Sequence, residues 1–161
     1  MVPQYLQDLY APVVNWEVPW SDLNLVLGPV PPLDEPVPHS LVYRRVAWVT
    51  AKARSGNGLR VVGATVGNTV YLDLKPDQVN TAAGLALAAH ELWHVKQRQS
   101  IPDFDRLYNE YAAKTPADQP WKNPLELEAY QVEAREYCRA IAEGKRRGPW
   151  LPLGVRLWGC T

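Results

Sequence analysis

The run AAGLALAAHELWHVKQRQ at residues 82–99 constrains the fold of this chain more than any other segment. Alanine and leucine are strong helix formers, the run contains no proline, and Asn80 or Thr81 stands before it as an N-cap. A helix through the whole run is expected. Its first half is apolar on every side, so it must be buried by neighbouring elements instead of lying on a surface.

Before it, residues 41–53 (LVYRRVAWVTAKA) are rich in β-branched and aromatic side chains, and Ser55-Gly56-Asn57-Gly58 reads as a turn. LRVVGATVG and TVYLDL follow, separated near Gly67-Asn68. Three strands of a mostly antiparallel sheet are the economical assignment. Lys75-Pro76-Asp77 then breaks the pattern. After the central run, DFDRLYNEYAAK restarts a helix. Asn123 caps and Pro124 opens a last one, PLELEAYQVEAREYCRAIAEG, which Gly144 ends. Strands first and helices afterwards indicate an α+β fold.

At 161 residues a single domain over 1–161 is the default, long enough to bury a core without disulfide staples. Residues 1–40 form a proline-punctuated arm, with a short helix near Pro3 and otherwise little regular structure. The arm is too apolar for a solvated tail and is expected to pack onto the domain. Residues 145–161 form an apolar, proline-broken tail. Cys138 and Cys160 are too few for a disulfide framework or a four-cysteine zinc site, although one bridge between them is open.

The central helix also carries the chemistry. His90 and His94 are four residues apart, on one helix face, so both imidazoles can aim a nitrogen at one ion. Glu91 is turned far enough to miss that ion yet reach a water beside it, the position of a general base. Two of the chain's three histidines fall at this interval. His39, in the arm, is set aside as a surface histidine. A catalytic zinc normally has three protein ligands, so the third must come from elsewhere. Ser100 and Gln97 exclude the metzincin completion, which needs histidine and glycine there. The carboxylates downstream are Asp103, Asp105, Glu110, Glu126, Glu128 and Glu133. The last helix is the better source because rigid elements hold ligands more accurately than loops, and it presents Glu126 near its first turn.

HELWH, with Val95 and Gln97 behind it and NPLELEAYQVE downstream, resembles the gluzincin metallopeptidases, in particular small standalone minigluzincin-like proteins. The likeness covers residues 67–133 and implies a zincin-like fold and zinc-dependent hydrolysis of a peptide or protein substrate. It implies Glu126, with Ala129 three residues on, as the third zinc ligand, Glu128 being the alternative. Gluzincins often place an aspartate four residues after that glutamate; this chain has Tyr130 there. Tyr130 can orient a histidine, stabilise an oxyanion or pack in the core, and Tyr108 and Tyr111 are further oxyanion donors to consider. The resemblance also makes GNTVYLDL the edge strand that pairs with an extended substrate, an ordinary core strand being the other reading. Proteins of this kind can be latent, with a terminal segment in the cleft, and Cys160 is within the segment that would do so.

Lysine plus arginine balances aspartate plus glutamate at 17 each, so no overall field recruits nucleic acid or an anionic membrane. The first ten residues lack a secretory signal, and no run approaches a membrane span. A cytoplasmic protein with no membrane or nucleic-acid partner is expected, its oligomeric state open. The competing reading is a non-catalytic zinc-binding or structural module, and the intact Glu91 distinguishes them, because a structural zinc has no use for an adjacent base.

Overall fold

A computed structural model describes residues 1–30, 51–55, 58–116 and 118–160. His39, the first part of the strand expected over 41–53 and the Gly56-Asn57 turn lie outside the described residues. The architecture is α+β, as expected, with nine principal elements among the described residues. They are α1 (Gln4–Tyr10), β1 (Asn24–Leu27), β2 (Ala51–Ser55), β3 (Gly58–Val66), β4 (Thr69–Leu72), α2 (Ala82–Ser100), α3 (Phe104–Ala113), α4 (Pro124–Ala142) and α5 (Leu153–Trp158).

The sheet keeps the mostly antiparallel character expected of it and adds one strand. It has four strands, in the order β1-β4-β3-β2, and the fourth comes from the N-terminal arm. β1 pairs parallel with β4, whereas β2–β3 and β3–β4 are antiparallel, so the sheet is mixed. β4, the strand of GNTVYLDL, is therefore interior. Its open side is taken by β1, with Leu25 opposite Val70 and Leu27 opposite Leu72, and no extended substrate can pair there. The arm also supplies α1, whose Leu6 and Tyr10 are buried, and the Tyr10 hydroxyl donates to the carbonyl of Val79 at 3.3 Å.

Side chains alternate across the sheet with period two, so Leu25, Leu27, Val70 and Leu72 share one face with Gly63 and Thr65. α2 packs on this face. Gly63 permits the close approach, since a Cβ there would stand 2.7 Å from Leu87 Cδ1 and 2.8 Å from Glu91 Oε1. From Ala82 to Leu92 every residue of α2 is buried. Each fully buried leucine contributes about 1.5–3 kcal/mol by leaving water, and Leu85, Leu87 and Leu92 all qualify. On its other side α2 meets α4. Gln97 reaches Leu125 while His90 reaches Glu133, so the two helices run antiparallel.

The helix ends follow the sequence. The Thr81 hydroxyl accepts from Gly84 N, and the Asn123 side chain accepts from Leu125 N. Gly144 leaves α4 with φ +85°, as a C-terminal stop requires. The tail then returns to the start of α2, where Ala82 N and Ala83 N donate to the carbonyls of Arg146 and Arg147 at 2.7 and 2.9 Å. These bonds satisfy amide groups that a helix N-terminus leaves without internal partners. α5 docks against α4, and Cys160 forms a disulfide with Cys138, Cα atoms 5.5 Å apart. Cys160 is thus committed to α4 and does not reach the histidines. Disulfides persist in oxidising surroundings, so this bridge and the cytoplasmic expectation pull in opposite directions. No helix among the described residues is long and apolar enough to cross a membrane.

Gly84 tests how tightly the first turn of α2 is seated. Alanine there would gain about 1 kcal/mol in helix propensity but overpack the site, which costs about 1–3 kcal/mol. The new Cβ would lie 2.2 Å from the carbonyl oxygen of Gln78 and 2.9 Å from that of Val79, both backbone atoms that yield little. The clash wins, and Gly84→Ala is expected to lower the urea unfolding midpoint; an unchanged or raised midpoint would contradict this packing.

Candidate metal centre

α2 turns His90, Glu91 and His94 into the interior because both of its flanks are covered, by the sheet and by α4. All three residues are at most 1% exposed. α4 answers with a stripe at helical spacing, Glu126, Tyr130, Glu133 and Tyr137, all buried against α2. His90, His94 and Glu126 converge, their ligand atoms all lying within 4.8 Å of one another.

The geometry within this group suits a tetrahedral ion. Two nitrogens each about 2.05 Å from a tetrahedral zinc would be about 3.3 Å apart. His90 Nε2 and His94 Nε2 are 3.3 Å apart. Glu126 Oε2 is 3.4 Å from His90 Nε2, and Glu126 Oε1 is 2.9 Å from His94 Nε2. The opposite ring nitrogens are both engaged, His90 Nδ1 donating to Glu133 Oε2 at 3.0 Å and His94 Nδ1 to Gln97 Oε1 at 2.8 Å. With the protons on Nδ1, the two Nε2 lone pairs face each other and a carboxylate, an arrangement that repels itself unless a cation lies between. Glu126 Oε2 is also buried without a hydrogen-bond partner. The residues present therefore fit a divalent metal such as zinc.

The electrostatics carry the same sign. Burial lowers the His90 pKa, but the facing carboxylates of Glu126 and Glu133 outweigh it and leave the ring well above its ordinary value. Burial raises the Glu126 pKa, yet His94 and His90 pull it below the usual carboxylate value. Both shifts record a site that favours positive charge between the rings and the carboxylate. Glu133 is held up, chiefly by burial. Tyr108 and Tyr130 are pushed well above the ordinary phenol, first by burial and next by Glu126, so both hydroxyls remain donors.

Glu91 points to the sheet side of α2, where Thr65 of β3 donates its hydroxyl to Glu91 Oε2 at 2.5 Å. Glu128 is exposed and separate from the cluster, its Oε2 accepting from Trp93 Nε1 at 3.2 Å and Gln97 Nε2 at 2.9 Å. Tyr130 lies with its ring edge-on to His90, centroids 4.8 Å apart, and its hydroxyl is buried without a hydrogen-bond partner. Tyr111 packs instead in a small apolar cluster with Phe104, Tyr108 and Leu125. Asp103 pairs with Arg106, as does Glu110, and Asp105 pairs with Arg98, so none of these three joins the histidines.

Three contributors have roles that the sequence does not announce, although Glu133 and Tyr108 are among its candidates for other roles. Glu133 replaces the expected aspartate as partner of His90, two helical turns after Glu126, where the i to i+7 spacing was the available signal. Gln97 supports His94 from one turn further along α2. Tyr108 of α3 donates to Glu126 Oε1 at 2.8 Å, a contact between helices that no periodicity announces. Phe104 and Tyr108 stand over His94, with ring centroids 6.5 and 6.1 Å away. The cavity between them, lined by Thr65, Gly67, His94, Arg98, Phe104, Asp105 and Tyr108, encloses about 10 Å³, room for about one water.

The model of the eCIS core domain, a zincin-like metallopeptidase-related family, matches residues 43–102. That span holds His90, Glu91, His94 and Gln97 and ends before Glu126. No curated protein and no solved structure matches the chain. The match covers less than half of the chain; together with the buried His-His-Glu group, which could hold a metal ion, it suggests a zincin-like module.

Proposed function

We propose that this chain is a zinc-dependent peptide hydrolase of gluzincin type, held here with its cleft closed. The observation that carries the reading is the 3.3 Å approach of His90 Nε2 and His94 Nε2, with each Nδ1 turned to an acceptor of its own and Glu126 facing both Nε2 atoms. His90, His94 and Glu126 are the proposed metal ligands. Zinc in this position would polarise a substrate carbonyl and bring the pKa of a water towards neutrality.

Glu91 is the proposed general base. It takes a proton from the attacking water and returns it to the leaving amine. Thr65 holds Oε2 of that carboxylate from the sheet side and so fixes the direction in which it faces. Tyr130 is the proposed donor to the developing oxyanion, supported by its ring packing against His90 and by a protonated hydroxyl that has no hydrogen-bond partner among the described residues. Access for a peptide requires Phe104 and Tyr108 to withdraw from His94, over which they stand.

The closed cleft also favours a second reading, a zinc-binding module without catalysis. Metal analysis combined with peptide cleavage separates the two. About one zinc per chain is expected, and Glu91→Gln should keep the metal while losing about 10²–10⁴-fold in cleavage rate. Zinc in the wild type with no cleavage from either protein would leave the module or a latent enzyme; no zinc in either would end both readings.

The third ligand has its own test. Glu126→Gln is expected to release the metal on dialysis, whereas Glu128→Gln retains it. The reverse pattern would transfer the ligand role to Glu128. For Tyr130, replacement by phenylalanine should lower kcat by about 10²–10³-fold with KM little changed, the size found for loss of one oxyanion donor. A fall confined to KM would assign the hydroxyl to substrate binding instead.

A further inference from the structure

Gln97 makes three hydrogen bonds from a position 3% exposed, one turn beyond His94. Its Oε1 accepts from His94 Nδ1 at 2.8 Å. Its Nε2 donates to the carbonyl of Leu125 at 3.0 Å and to Glu128 Oε2 at 2.9 Å. The two acceptors on α4 settle which way the amide faces, because rotating it by 180° would set oxygen against oxygen at both. Only the orientation seen leaves an acceptor towards His94.

We propose that Gln97 is a positioning residue that keeps the His94 proton on Nδ1 and so aims the Nε2 lone pair at the metal position. The inference rests on the metal-site reading above. Histidine ligands are commonly oriented by an acceptor on the second ring nitrogen, and loss of such a partner typically weakens metal binding about 10–100-fold. The two histidines here differ in that partner. His90 has the carboxylate of Glu133, while His94 has a neutral amide whose direction is imposed from the neighbouring helix. Leu125 directly precedes Glu126, so the side chain that fixes one ligand also grips the turn that carries another. Alignment of the two ligands is thereby joined through one amide.

Cobalt(II) tests this without reference to activity, since its visible bands report ligand geometry. Gln97→Met keeps length and lacks the acceptor. It is expected to bind cobalt about 10–100-fold more weakly in chelator competition and to change the band pattern. Glu128→Ala removes one of the two groups that hold the amide but leaves Oε1 and Leu125 in place, and should keep the wild-type spectrum. Unchanged affinity and bands in Gln97→Met, with only a lower melting temperature of the metal-free protein, would overturn the proposal in favour of plain packing. An equal spectral change in Glu128→Ala would overturn it too, by showing that helix contact and not the acceptor matters.

Should Gln97→Met fail to fold, nitrogen-15 spectra of the metal-loaded wild type decide. The expected result is a His94 Nδ1 proton protected from exchange, and a proton on Nε2 or rapid exchange at Nδ1 overturns the proposal. A wild type that takes up no cobalt would instead overturn the metal-site reading, and this inference with it.

Discussion

The antiparallel contact between α2 and α4 is the interface on which the rest of the structure depends, because it buries a layer of charge. His90, His94, Glu91, Glu126 and Glu133 are each at most 2% exposed. Moving one carboxylate out of water costs several kcal/mol after relaxation, and pairing rarely recovers more than that cost. Well-packed apolar residues in the same layer would often be equal or better for stability. The stability comes from elsewhere, from Leu85, Leu87 and Leu92 on α2, Val70 and Leu72 on the sheet, and Leu6 and Tyr10 on α1. The polar layer is carried by that core, and its justification is the cation it can hold.

This division explains what the sequence disclosed. The HELWH spacing is a local property of one helix, and the caps Thr81 and Asn123 are local too, so their positions follow from a few adjacent residues. Helix geometry shows only that one of Glu126 and Glu128 can face the histidines, since they point about 200° apart; the preference for Glu126 comes from the resemblance, and the cluster contains Glu126. Fold class was legible locally as well, each segment having one dominant period. The N-terminal strand was not. NLVL is short, lies among prolines, and gains its structure only by pairing parallel with a strand about forty-five residues later. Missing that pairing made β4 look like an edge.

The polar partners around the histidines were hard to read for another reason. Glu133 and Gln97 belong to helices rich in glutamate and glutamine, and spacing alone marks several of them as neighbours of the site. Which one reaches a ring depends on the separation and register of α2 and α4, set by the core rather than by either helix. Tyr108 lies one step further away, on a helix whose docking rests on Phe104, Leu125 and the pair Arg98–Asp105. No pattern within α3 points to Glu126.

The two terminal segments act as clamps on the same pair of helices. The arm fills the sheet beside β4 and packs Trp16 edge-on to Trp93, centroids 5.1 Å apart, while the tail caps the start of α2 and is fastened to α4 by the disulfide. Gly154 of α5 lies so close beneath α4 that a Cβ there would stand 2.2 Å from the carbonyl of Tyr130, the residue whose ring rests on His90. The tail therefore bears on the site from behind, through Tyr130, and not by entering the cleft. Among the described residues it is α3, through Phe104 and Tyr108, that stands over His94. α3 does more than cover, because Tyr108 also donates to Glu126 Oε1, so the element over His94 is tied to the same cluster that α2 and α4 bring together.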